Sequence, residues 1–388
     1  MPWCFVSLDM AKRGRAGYGT VMSDFEIFLS VAPGLEPALA EEAAEAGFRD
    51  VAVVVGGVTV SGGWPEVWRA NLVLRGASRV LARIGAFRVM HIAQLDKRAR
   101  KFPWGDVLRP DVPCRVEVTT RASKVYHAGA AKQRIERALT ESFGARLADD
   151  AAVILKVRIE DDLCTISVDT SGESLHKRGH KQGVGKAPMR ETLAAMFLRQ
   201  CGYHGTEPVY DPMCGSGTFV IEAAEIAAGL LPGRSRRFAF EELTTFDSAA
   251  FAALKAVSPR PVSGLLFAGS DRDDGAIRSA TANAERAGVG AVCAFHRAAV
   301  SDAKPPEGPP GLVMINPPYG ARIGDRKLLF AVYGALGQTL KTNFKGWRVG
   351  LVTSDGGLAK ASGLPFLPPG PPVAHGGLGV TLWRTDRL

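Results

Sequence analysis

Two short stretches of this chain hold residue types suited to placing a small group on a planar nitrogen. The first is Asn316-Pro317-Pro318-Tyr319, which follows the apolar run Leu312 to Ile315. An exocyclic amine on a base is a poor nucleophile, because its lone pair is delocalised into the ring. A catalyst must accept hydrogen bonds from the NH2 group and aim that lone pair. The side-chain oxygen of Asn316 and the carbonyl of Pro317 can accept those bonds. Two prolines stiffen the turn, so the acceptors are placed in advance. Tyr319 offers a flat face for the target ring. No strong base is needed when the leaving group is a sulfonium. The bland alternative is a Pro-Pro turn after a buried strand.

The second stretch is Asp211-Pro212-Met213-Cys214-Gly215-Ser216-Gly217-Thr218. Gly215 and Gly217 let the backbone turn sharply and approach a ligand. Their amides, at a helix N-terminus, can face an anion such as a methionine carboxylate. Asp211, at the strand end, would accept hydrogen bonds from the ligand's ammonium, with Pro212, Cys214 and Thr218 lining the pocket. Cys214 reads as a small lining residue rather than a nucleophile. An ordinary strand-to-helix turn is the alternative. A dinucleotide site would need a third glycine, and a P-loop would need Gly-Lys-Ser/Thr. Asp271 ends the next buried strand and can take both hydroxyls of a ribose. Asp273 or Asp274, just after it, suits a helix N-cap. In this order, the stretches point to methyl transfer from S-adenosyl-L-methionine to a nitrogen. Adenine, guanine and glutamine all remain open.

The elements that must position these residues alternate from Pro208 onward. Val209-Tyr210, Gly264 to Ser270, Val292 to His296, Leu312 to Ile315 and Arg348 to Thr353 read as strands. Phe219 to Ala228, Asp274 to Ala287 and Lys327 to Asn343 read as helices. That alternation implies a doubly wound, mostly parallel α/β sheet. Gly379 to Arg384 suits an antiparallel edge hairpin. The N-terminal half reads differently. Phe25 to Val31 is a strand, Leu35 to Ala46 a helix, and Val51 to Val55 with Gly57 to Val60 a strand pair. Trp64 to Leu74 is expected as a helix, continued by Ala77 to Ile84. Val89 to Ile92, Cys114 to Thr119, Ala152 to Ile159 and Leu163 to Val168 are expected strands, and Ala128 to Phe143 a helix. Glu191 to Gln200 is a helix opened by Pro188.

The 388 residues carry a formal charge of +9, which favours a polyanionic partner. Basic residues concentrate before the alternating half. Arg69 to Lys101 holds nine Lys or Arg against the single acid Asp96, and His176 to Arg190 holds five and no acid. Arg121, Lys124, Lys132, Arg134, Lys177, Arg178 and Lys181 are the expected contacts to a nucleic-acid backbone. The alternative is a solvated helix face. No apolar run is long enough for a membrane span. The six cysteines form no CxxC pair and have no histidine cluster beside them, which argues against a zinc site or a disulfide framework and suits a reducing cytoplasm. Residues 1–21 read as a flexible extension, with Met22 as the expected start.

Beyond these stretches, Leu175 to His180, Ala187 to Ala195, Asp211 to Thr218, and Asn316 to Gly320 with Arg322 resemble the THUMP-domain guanine-N2 RNA methyltransferases. Within that family the chain is most similar to the bacterial 23S rRNA group called RlmL, the N-terminal half of YcbY-like enzymes. The resemblance runs from about Met22 across nearly the whole chain. It implies a ferredoxin-like module over 22–69, a THUMP domain over 70–170, a basic linker over 171–190 and a Rossmann-like methyltransferase over 191–388. It also implies a guanine-N2 unit without the second methyltransferase of longer relatives, and 23S rRNA as substrate; the sequence leaves the oligomeric state open, with a monomer favoured. Family members often place an acid after the third strand to bind the adenine amino group. Arg297-Ala298-Ala299 stands there instead, so Asp302 or backbone groups would take that role. Rival readings are a tRNA guanine-N2 enzyme of the same layout, an adenine-N6 DNA enzyme, a protein glutamine-N5 enzyme, and an inactive RNA-binding assembly factor.

Overall fold

The computed structural model describes residues 24–182, 189–264, 266–319 and 326–388. The expected 1–21 extension with its start at Met22, the helix opening at Pro188, and the Gly320 and Arg322 positions lie outside the described residues.

The N-terminal half builds one sheet. In chain order come β1 (Phe25–Ser30), α1 (Glu36–Glu45), β2 (Arg49–Val54), β3 (Gly57–Gly62), α2 (Trp64–Val73), β4 (Arg79–Arg88), α3 (Ile92–Arg100), β5 (Cys114–Arg121), α4 (Ala128–Ala138), β6 (Val153–Glu160) and β7 (Leu163–Asp169). The strand order is β2-β3-β1-β4-β7-β6-β5. Neighbours run antiparallel except β5 and β6, which are parallel and joined through α4. Ile27 and Leu29 of β1 are buried at the period of two that a one-sided sheet requires, and β3 beside it is buried from Gly57 to Val60.

Two expectations fail here. The expected helical continuation over Ala77 to Ile84 is instead β4. Leu81, Ala82 and Arg83 have good helix propensity, but β4 pairs with β1 on one side and β7 on the other. Two ladders and the inward-facing Val80 and Ala82 outweigh local preference. The expected strand at Val89 to Ile92 is also absent. Val89 donates its amide to Asp162 O at 2.8 Å, and Ile92 opens α3. The His91 ring caps that helix by accepting from the Gln94 amide.

The C-terminal half contains α5 (Glu191–Gln200), β8 (Val209–Asp211), α6 (Thr218–Ala227), α7 (Ser248–Lys255), β9 (Phe267–Asp271), α8 (Asp274–Ala287), β10 (Cys293–Arg297), β11 (Leu312–Ile315), α9 (Arg326–Asn343), β12 (Arg348–Thr353), α10 (Gly356–Ala361), β13 (Val373–His375) and β14 (Leu378–Arg384). Their order is β10-β9-β8-β11-β12-β14-β13. The first five are parallel, and β14 and β13 close the edge as an antiparallel pair. This is the expected doubly wound α/β sheet with its edge hairpin. The strands at its centre are buried along their length, as parallel strands between covered faces must be. The short helices α7 and α10 are additions to the elements read from the sequence. Chain order reverses between β8 and β11. Ligands of such sheets bind outside the strands' carboxyl ends at that reversal.

The halves are packed together. Trp68 of α2 meets Phe240 and Phe246 at centroid distances of 6.3 and 5.8 Å. Gly233 donates to Leu72 O and Phe240 to Thr170 O. A buried ion network adds to this. Arg75, just past α2, reaches Glu222 of α6 at 2.7 Å and Glu225 at 3.5 Å. Among the described residues no helix is long and apolar enough to cross a membrane.

Candidate active site

β8, β9 and β11 end side by side, and each delivers one polar residue to the reversal point. Asp211 ends β8, Asp271 ends β9, and Asn316 follows β11. The turn after β8 needs glycine twice, for different reasons. Gly215 has φ +52° and Gly217 φ +83°, both in the left-handed region. A Cβ on Gly217 would also press on Ala280 Cβ at 3.1 Å and Phe295 Cε1 at 3.2 Å. A Cβ on Gly215 would meet no protein atom within 4 Å, so its backbone angle alone demands glycine.

The Gly215 and Gly217 amides, expected from the sequence to face an anion, are used within the protein. Gly215 donates to Asp271 Oδ2 at 3.0 Å and Gly217 to Cys214 O at 2.8 Å. The correction follows from the tightness of the turn, which brings β9's terminal carboxylate onto the loop. Asp271 Oδ1 also accepts from the Asp273 amide at 3.0 Å. Asp273 itself caps α8 through the Gly275 amide. Cys214 is buried, and burial lifts its thiol well above the ordinary value, so it stays protonated. It packs where a Cβ on Gly269 would lie 2.8 Å from its own Cβ, which fits the lining role.

Asp211 is 2% exposed. Burial raises its carboxyl well above the ordinary range. The Met213 amide, at 2.9 Å, offsets this in part, and the neighbouring Asp271 charge adds to the rise. With the folded value above the unfolded one, its contribution to stability is full below about pH 4 and lost as pH rises through the folded value. A cationic ligand beside it would reverse that shift. Binding of a donor ammonium is therefore expected to release a proton between about pH 4 and the raised folded value, the window in which the heats are compared. Calorimetry in two buffers of different ionisation heat should give different binding heats, and Asp211→Asn should remove the difference. Equal heats for the unaltered chain would refute the contact.

Asn316 carries the most telling atom. Its Oδ1 is buried and has no hydrogen-bond partner among the described residues. An unpaired buried acceptor costs about 1–3 kcal/mol and calls for an explanation. The turn around it is held in place. The Tyr333 hydroxyl of α9 lies 3.3 Å from Pro318 O and 3.1 Å from Thr353 Oγ1 at the end of β12. Pro317 is buried. Tyr319 is half-buried against core side chains, and burial raises its phenol above the ordinary value, keeping it neutral.

The other expected residues divide. Asp302 is exposed in a short helical turn, bonded by Ser301 Oγ at 3.3 Å. Arg297 turns to Asp274 at 3.4 Å. Arg121 pairs with Glu160 and Lys132 with Glu136, each at 3.5 Å, while Lys124 is exposed and Arg134 half-exposed. Lys177 is exposed beside Glu173, at 2.6 Å. Arg178 and Lys181 are not surface contacts, which corrects their expected role. Arg178 is 2% exposed and donates to Leu175 O, Arg75 O and Glu222. Lys181 bonds Met189 O at 2.8 Å and Thr218 Oγ1 at 2.9 Å, with Glu191 at 3.2 Å. Both tie the basic segment to α6, directly behind the glycine turn. Sequence reading missed Glu222, the counter-charge of Arg178 and Arg75, and Glu225, which takes Arg75 and Arg234. Two acids inside the otherwise apolar helix Thr218–Ala227 were the available signal. It also missed Asn283, whose amide nitrogen holds Ser216 O at 3.0 Å.

The description "RMKL-like, methyltransferase domain" fits residues 178–364, and "RlmL ferredoxin-like domain" fits residues 26–81. A putative RNA methyltransferase of Synechocystis sp. is 30% identical over 370 residues, covering 92% of this chain and 96% of that one. The chain belongs to the RMKL-like methyltransferases. The ribosomal RNA large subunit methyltransferase K/L of Allochromatium vinosum is 35% identical over 361 residues, or 88% of this chain. Those residues make up 49% of that relative, so the chain spans about half of its length. A putative methyltransferase solved with S-adenosylhomocysteine superposes with a TM-score of 0.83 at 26% identity, over 94% of this chain and 99% of that one.

For an RMKL-like enzyme the methyl donor is S-adenosylmethionine, whose sulfonium presents an electrophilic methyl group. The residues present suit it. Two carboxylates stand at adjacent strand ends, a glycine turn lies beside them, and an orphaned amide oxygen follows the next strand.

Proposed function

We propose that this chain methylates the exocyclic N2 of a guanine in structured RNA, with 23S rRNA as the substrate. The orphaned Asn316 Oδ1 carries the reading, because a buried acceptor without a donor suits an incoming NH2 group. Asn316 Oδ1 and Pro317 O accept from the amine, and Tyr319 stacks on the base. Asp211 and Asp271 hold the donor's ammonium and ribose, and Asp302 or nearby backbone reads its adenine. The guanine reaches the pocket flipped out of its stack. Both curated relatives described above are named as RNA methyltransferases, one of the large ribosomal subunit. The surplus of positive charge suits that substrate. Residues 22–69 and a THUMP unit over 70–170 would grip the RNA, through Arg121, Lys124, Lys132, Arg134 and Lys177. The 171–190 linker would join them to the catalytic unit, 191–388.

The test is nucleoside mass mapping of rRNA and tRNA from a strain lacking the chain. Loss of one N2-methylguanosine from 23S rRNA is expected. Loss confined to tRNA would select the tRNA enzyme of the same layout. Loss of N6-methyladenine from DNA would overturn the proposal.

A further inference from the structure

The surplus charge is not spread evenly over the N-terminal half. On its parallel edge, strand cations are answered by acids. Arg115 and Lys156 meet Glu117 at 2.7 and 2.5 Å, and Arg158 meets Glu160 at 2.5 Å. α3 behaves differently. Its Leu95 and Ala99 face the core, and Arg100 is held by Asp96 at 3.0 Å and Glu141 at 2.8 Å. Lys97, Arg98 and Lys101 are exposed and have no acid within ion-pair distance among the described residues. Three unneutralised cations within five residues repel one another. The helix dipole tolerates them at this end but does not call for their neighbours.

Those neighbours are aromatic. The three cations line one groove with Gln94, Phe87 and Phe102. The Arg98 guanidinium stands 5.7 Å from the centre of the Phe87 ring. Phe87 and Phe102 are half-buried, with centroids 6.4 Å apart, and Phe102 rests on Trp104 at 4.5 Å. The backbone is shaped to seat that ring. A Cβ on Gly85 would lie 2.6 Å from Phe102 Cε2, and Gly85 stands where the β4 ladder shifts register.

From this groove we infer a second RNA contact, one that takes an unpaired nucleotide of the substrate, its base on Phe87 and Phe102 and its phosphates on Lys97, Arg98 and Lys101. The inference rests on the RNA reading above. Free cations supply charge complementarity to phosphate. The rings need an open base face, which a continuous duplex does not present.

The test uses the full chain carrying Lys97→Gln, Arg98→Gln and Lys101→Gln together. Anisotropy is measured with a stem bearing an unpaired tail and with the same stem blunt-ended, over a salt series. Affinity for the tailed stem should fall about tenfold or more, and the slope of log K against log salt should flatten by about two, at roughly 0.7 per lost phosphate contact. S-adenosylhomocysteine binding should be unchanged, which shows the variant is folded. Phe87→Leu should keep most affinity but lose the preference for the tailed stem. If the triple variant binds and salts out like the unaltered chain while that chain still methylates RNA, the groove is wrong and the function stands. If the unaltered chain binds an acidic peptide but no RNA, the occupant and the RNA reading both fall.

Discussion

Replacing Asn316 by alanine is expected to slow methyl transfer by about a thousandfold, the scale lost when one preorganised polar contact to the reacting group is removed. The substitution removes the amide acceptor proposed to meet the amine, leaving the Pro317 carbonyl as its only proposed acceptor in the turn. It should leave the fold unharmed, since Oδ1 has no partner to lose among the described residues. The turn keeps its support from Tyr333 and Thr353. Melting temperature and S-adenosylhomocysteine affinity should therefore match those of the unaltered chain. Single-turnover assays with calorimetry separate the two effects. Full turnover by the variant would end the catalytic assignment. A parallel loss of cofactor binding would move Asn316 from the substrate side of the pocket to the donor side.

The second large effect lies away from the chemistry. Glu222→Ala should cost about 3–5 kcal/mol, because it leaves the buried Arg178 guanidinium without its counter-charge and Arg75 with Glu225 alone. Glu222 is 1% exposed and takes Arg75 at 2.7 Å and Arg178 at 3.4 Å. Burial alone would raise its carboxyl, but the charges of Arg178 and Arg75 outweigh this and hold it below its ordinary 4.5. A depressed folded value means the stabilisation is present above about pH 4.5 and lost as pH falls through the folded value. The melting-temperature gap between variant and unaltered chain should thus be wide near neutrality, about 5 °C, and narrow in acid. Calorimetric scans at pH 7.5 and below pH 4 check this. A gap that does not close in acid would mean the carboxylate's charge is not what holds the site. The variant also probes the joint between halves, because Arg75 belongs to the N-terminal sheet's side and Glu222 to the helix behind the glycine turn.

The catalytic half was legible from sequence because its signals are local. Asp211, Asp271 and Asn316 each stand at a strand's end, and the strands are short apolar runs set off by helices. Bringing them to one edge needs only the order of a doubly wound sheet. The N-terminal half was harder. Ala77 to Ile84 reads as the continuation of a helix, and only partners at β1 and β7, up to about ninety residues away, make it part of a strand. The basic segment misled for the same reason. Arg178 and Lys181 look like phosphate ligands until Glu222 and Thr218, 44 and 37 residues on, are seen to hold them. The bond pairing the Gly215 amide with Asp271, 56 residues later, was likewise invisible. A residue's type shows that it needs a partner, but distant pairing decides which one.

The strand β4 has a further consequence, for dissection of the chain. It shares ladders with β1 on one side and β7 on the other, so the seven-stranded sheet has no seam between its first and second stretches. A truncated chain beginning after α2 would bare the edge of β4 that β1 now covers, a row of open amides and carbonyls that recruits other strands. Such a fragment should aggregate rather than behave as a portable RNA-gripping module. Grafting onto another catalytic unit would have to carry the whole sheet, from Phe25 to Asp169, as one indivisible part.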